Sequence, residues 1–246
     1  MDLTPPPPPD FLDAQILQAT ASNEPHGGVY AGNTWVNVPL PNDVIAVGNT
    51  LFLLFDAAVE FGHAYNPILT LQCPTMMAGN LTQLGVTLDQ GITNVSRRFF
   101  QVFYGKATNP VGAGLLKFNA TFASPPFSGV PDALFVIGQV LVANLATQEQ
   151  ENHGTTMASP ASIPALTIAD KKFYGSFIGP AQQNVTVNHP PFFTRIGNHF
   201  AAGFHNDPML GDIFDLPAGT YQPSWTQAAG PFNVAIINCI FGLNTV

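Results

Sequence analysis

Short apolar runs, each closed by proline, glycine or asparagine, recur along almost the whole chain, and none carries the three-to-four-residue spacing of a helix. Candidate strands are Val29–Val38, Val44–Phe55, Ile68–Gln72, Val95–Tyr104, Leu115–Ala123, Leu134–Ala143, Lys172–Ile178, Asn184–Val187, Phe193–Ala201 and Phe232–Phe241. Leu116, Phe118, Ala120 and Phe122 alternate with Lys117, Asn119 and Thr121, the period-two pattern of a half-buried strand. Between the runs fall turn-forming pairs such as Gly48-Asn49, Asn109-Pro110, Ser128-Gly129 and Gly230-Pro231. About ten strands spaced in this way predict an all-β protein, a single jelly-roll-like β-sandwich spanning 26–246. The polar stretch Thr147–Ser162 reads as a long surface loop.

Two segments depart from this pattern. Residues 1–25 read as an extended N-terminal arm, because five consecutive prolines (Pro5–Pro9) favour polyproline II and offer no amide donors to a sheet. Phe11–Leu17 after them is expected to form a short strand or helical turn that docks on the body or on a neighbouring subunit. Leu51-Phe52-Leu53-Leu54-Phe55 is apolar at every position, so this strand must be covered on both faces, by the core and either a loop or another subunit.

Charge narrows the classes of function. Charged residues are only 9% of the 246-residue chain, against roughly a quarter in ordinary domains, while 46% is apolar. Such a chain collapses rather than staying disordered. Its exterior must be built from uncharged polar groups, which are cheaper to bury against a neighbour than charges are. An assembly subunit is the expectation, with copies of itself as partners, a trimer first among them. Seven basic against fifteen acidic residues give a net charge of −8, which argues against phosphate-backbone binding. No apolar run approaches the ~20 residues of a membrane helix, and no basic-then-apolar leader follows Met1.

The runs Val44–Phe55, Phe99–Ala107, Leu116–Phe122 and Ala133–Gly138 together resemble the β-sandwich and jelly-roll modules of phage tail-fibre, virion-surface and bacterial surface proteins. In these modules a Val-Gly-Asn-Thr-Leu strand precedes a Val-Phe-Tyr-x-Lys-Ala strand, here Val47–Leu51 and Val102–Ala107. The likeness spans Val36–Gly242 and departs at Met77–Thr82, which only approximates the modules' Gly-Asn-Thr-Tyr turn. The resemblance implies a virion or extracellular-surface location and a capsid, decoration or fibre role among other virion or surface proteins. Its alternative is a lectin-like receptor- or glycan-binding module.

Candidate chemistry is sparse. No nucleophile elbow, zinc-protease motif or phosphate loop is present, so no catalytic residue and no cofactor is expected. Asp56 and Glu60 are the only carboxylates considered as a pair, and Asp207, Asp212 and Asp215 form an acidic cluster. His189, His199, His205 and Asp207 are weak metal candidates whose spacing fits no established motif, and they are read as loop or interface residues. Twenty Phe against two Trp and five Tyr point to core filling. Trp225, in the polar context Gln222–Gln227, heads the candidates for ligand stacking, with Tyr221 and Trp35 behind it. Cys73 and Cys239 read as buried thiols, a single bridge being the alternative. Sequons start at Asn80, Asn94, Asn119 and Asn184.

Overall fold

The computed structural model describes residues 10–19, 29–31, 33–40, 42, 44–60, 67–92, 96–123, 133–143, 145–158, 160–169, 172–181, 186–187, 193–196, 200–201, 204–205, 207–213, 218–226 and 233–244. Among them every regular element is a strand, as the punctuated pattern predicts. In chain order these are β1 (Asp10–Ala19), β2 (Val29–Ala31), β3 (Thr34–Leu40), β4 (Thr50–Glu60), β5 (Ile68–Gln72), β6 (Thr82–Ile92) and β7 (Ser96–Lys106). Then come β8 (Leu116–Phe122), β9 (Ala133–Val142), β10 (Leu145–Thr156), β11 (Leu166–Ile168), β12 (Phe173–Ala181), β13 (Thr186–Val187) and β14 (Phe193–Ile196). The last are β15 (Phe200–Ala201), β16 (Phe204–His205), β17 (Asp207–Ile213), β18 (Gly219–Tyr221), β19 (Trp225–Thr226) and β20 (Val234–Leu243).

Three larger sheets, antiparallel at every pairing, carry the fold: β1-β9-β4-β7-β6, β10-β20-β12-β17-β14 and β2-β3-β8-β5. Strand β4 shows how they stack. Leu51, Leu53 and Phe55 point into a first core shared with Trp35, Leu71 and Phe118 of the four-stranded sheet. Phe52 and Leu54 point the other way, into a second core with Phe173, Phe177 and Ile237 of the other five-stranded sheet. The sheet containing β4 is therefore the middle layer. The two-sided cover foreseen for this strand comes from two sheets of the same chain, where the sequence reading had a loop or a second subunit.

Further corrections concern the strands. Val44–Phe55 is not continuous: Ile45 makes an isolated bridge to Val111, a turn follows at Val47-Gly48, and β4 starts at Thr50. The expected loop Thr147–Ser162 is largely β10, paired with β20 from Leu145 to Thr156. Its residues are polar on both faces, so hydropathy alternation gave no sign of a strand. β6 also escaped prediction, because the register shift at Gly85 (φ 65°) leaves Val86, which a period of two would bury with Leu84 and Leu88, 47% exposed. The segment expected as a short strand or helical turn is the ten-residue β1, paired antiparallel with β9 of its own chain; Pro5–Pro9 lie outside the described residues.

One buried polar side chain ties the middle sheet to its neighbour. Gln101 of β7 is fully buried; its Oε1 accepts from the Ile68 amide at 2.9 Å, and its Nε2 donates to the Ile68 carbonyl at 2.9 Å. Nε2 also reaches Thr87 Oγ1 at 2.9 Å. The carboxamide thus replaces a strand partner for β5 and braces the β6 bulge, which explains a polar residue between Phe99 and Phe103 in the first core.

Candidate functional site

At one end of the first core two loops, Asn42–Asn49 and Ala107–Leu115, are laced together. Ile45 and Val111 exchange backbone hydrogen bonds (2.9 and 3.0 Å), the Gly48 amide donates to the Ala107 carbonyl (2.9 Å), and the Ala107 amide donates to Asn49 (2.7 Å). Asn42 is buried beneath them: its Nδ2 donates to Gly112 and its Oδ1 accepts from the Leu116 amide. Gly48 and Gly114 hold φ of 90° and 70°, which fixes glycine at those turns. A third loop joins in, since the Thr108 and Asn109 amides donate to the Met76 carbonyl.

This hydrogen-bonded end displays apolar side chains. Val44 is 65% exposed, Val47 61% and Leu115 61%, half of the large exposed hydrophobics among the described residues. Ala46, Pro110 and Ala113 are exposed beside them. Among the described residues of the two loops no side chain is charged; Asp43, next to Val44 in sequence, lies outside the described residues, and the exposed Lys106 and Lys117 stand at the strand ends behind the loops. Lys106 turns away, donating to the Leu145 carbonyl at 3.0 Å. The run Val44–Val47, expected as part of a strand, is instead a displayed tip, and the signal for it in the sequence is the Gly48-Asn49 turn that follows.

The aromatic stacking candidates lie elsewhere. Trp35 is buried in the first core, edge-on to Phe122 at 4.9 Å. Trp225 is not shown off on a polar loop: it is fully buried, its Nε1 donates to Ser176 Oγ at 3.2 Å, and its backbone pairs with Ala161 in both directions. The short strand β19 turns the indole inward while its neighbours Gln222, Ser224 and Thr226 stay at least partly exposed. Tyr221 is half-buried, edge-on to Tyr174 at 6.5 Å. The three rings are thus divided among separate packing clusters and form no common face.

His205 ends β16 and Asp207 begins β17, and Asp212 lies on the same strand; His189, His199 and Asp215 lie outside the described residues. Among the described residues no three His, Cys, Asp or Glu side chains are grouped as metal ligands. Asp56 and Glu60 lie four residues apart on β4, roughly 13 Å along an extended strand.

One line of reactive residue types does occur. Cys239 faces Glu151 across the β10–β20 register, and Glu151 Oε1 contacts Nδ1 of His153. Complete burial pushes the Cys239 thiol up strongly, a backbone hydrogen bond from Gly175 lowers it, and the charge of Glu151 raises it again. The thiol therefore stays protonated and a poor nucleophile. Burial likewise pushes Cys73 up to about 12. Both cysteines are free, so the buried-thiol reading holds and the bridge does not. Of the sequons, Asn80 is exposed with its Oδ1 accepting from Gln72, and Asn119 Oδ1 accepts from the Asn37 amide; Asn94 and Asn184 lie outside the described residues.

Compared with known proteins, the chain matches no family model, no curated protein and no solved structure. Among the described residues no helix is long and apolar enough to cross a membrane.

Proposed function

We propose that the chain is a structural building subunit of the jelly-roll-like kind, which joins copies of itself, as a trimer first, into a virion or another extracellular particle. The observation that carries this reading is the loop end bearing Val44, Val47 and Leu115: apolar, exposed, free of described charges and held by backbone hydrogen bonds. Rigid apolar surface loses little conformational entropy when covered, and its burial gains about 25 cal/mol per Å². At a net charge of −8 two copies repel one another, so they meet best where the displayed side chains are mainly apolar, as Val44, Val47 and Leu115 are. The pattern likeness to virion-surface modules points in the same direction.

The glycan-binding alternative needs aromatic rings open to solvent, and the burial of Trp35 and Trp225 gives it no support. The test is the native mass of the full chain across a wide concentration range. Self-association above the 26.2 kDa chain mass is expected; a single chain at every concentration would overturn the proposal.

A further inference from the structure

The outer face of the β10–β20–β12 sheet is covered by two apolar clusters, one around Ile178, Trp225 and Ile236, the other around Ile168, Tyr174 and Ile240. Between them runs a polar row. Asn152 of β10, Asn238 of β20 and Ser176 of β12 are direct neighbours in register, so they cross the sheet side by side. Asn238 is the only Asn, Gln, Ser or charged residue in the buried run Val234–Gly242, and it is fully buried. Among the described residues neither its Nδ2 nor its Oδ1 has a hydrogen-bond partner.

A buried carboxamide with both ends unpaired is strongly disfavoured, so native interiors pair such groups or hydrate them. The neighbours have capacity to spare. Ser176 Oγ accepts from the Trp225 indole and keeps its own hydroxyl proton to donate. Asn152 spends Nδ2 on the Pro164 carbonyl, which leaves its Oδ1 as an acceptor. Directly opposed residues carry Cβ atoms about 4.5–5.5 Å apart, so one small molecule seated on the row can reach the polar groups of neighbouring strands.

We infer that this row is an internal hydration site, in which a long-lived water bridges the Asn238 carboxamide to Ser176 and Asn152. Water supplies both the donor and the acceptor that the amide requires, and three flanking polar groups match its usual coordination. A cation fits poorly, because the carboxylate nearest in sequence, Glu151, points to the opposite face of β10, towards Cys239. A larger ligand is excluded by the cover: Ala161 pairs with Trp225, Gln150 donates to Thr167, and Gln222 donates to Ile163. The site interrupts an otherwise apolar packing layer and holds the cover in one register on the sheet.

A high-resolution crystal structure of the full chain, together with water-relaxation NMR, tests this. One ordered water in hydrogen-bonding contact with Asn238 is expected, absent in N238L, whose melting temperature falls by several degrees. Should N238L fail to fold, N238S retains a polar group and is expected to keep the long-lived water. A dry Asn238 in the wild type, or an N238L protein that melts higher than wild type, would overturn the inference.

Discussion

Replacing Gln101 by leucine removes the bracket between the middle sheet and β5 without changing side-chain volume much. The amide and carbonyl of Ile68, each bonded to the carboxamide at 2.9 Å in a buried setting, are then left unpaired. Each orphaned buried backbone group costs about 1–3 kcal/mol, and the leucine recovers about 1–2 kcal/mol by apolar burial. With two such groups and middle values for each contribution the net loss is about 2–4 kcal/mol. At about 2–4 °C per kcal/mol for a chain of this size, melting falls by roughly 5–15 °C. Thermal and urea unfolding followed by circular dichroism measure it, with an unchanged urea slope showing that stability alone has shifted. A Q101L protein within about 0.5 kcal/mol of wild type would mean that Ile68 finds other partners and that the bracket is incidental.

The second core is expected to depend on Phe52, whose ring meets Phe173, Phe177 and Phe241 at 5.4–5.8 Å, so F52A loses about 3–5 kcal/mol in the same unfolding assays. Gly179 faces Phe100 so closely that an added Cβ would collide with the ring; G179A is expected to lose about 1–3 kcal/mol, and an unchanged melting curve would place the two sheets further apart. Cys73 and Cys239 should resist alkylation at pH 8–9 in the native protein and react on denaturation, read by mass spectrometry. Their folded pKa values lie above the ordinary 9.0, so the folded state holds protons that the unfolded chain releases. Stability is therefore expected to be intact below pH 9 and to decline from pH 9 towards 12, and C73S/C239S should flatten that decline.

How much of this was legible depends on which face of a strand the sequence reports. β8 could be read residue by residue, because Leu116, Phe118, Ala120 and Phe122 are buried against exposed or half-buried alternates. The demand for cover on both faces of Leu51–Phe55 was also readable, but not its source, since periodicity does not say which other strands supply the second layer. β10 was invisible: an edge strand of Thr, Gln, Glu and Asn draws its stability from the ladder with β20 rather than from apolar alternation. Trp225 misled because polar neighbours describe a backbone near solvent, while the indole between them turns inward to Ser176. The apolar loop end was hidden for the converse reason. Val44-Ile45-Ala46-Val47 looks like core, and only the cross-loop bonding to Ala107 and Val111 shows that Ile45 alone is buried there.

The central claim is that this loop end joins subunits, and sedimentation of wild type beside V44S/V47S/L115S tests it most directly. All three side chains are more than half exposed, so the variant should melt close to wild type. An assembled wild type and a dissociated variant with an unchanged fold are the predicted pair; identical sedimentation of the two would contradict the account.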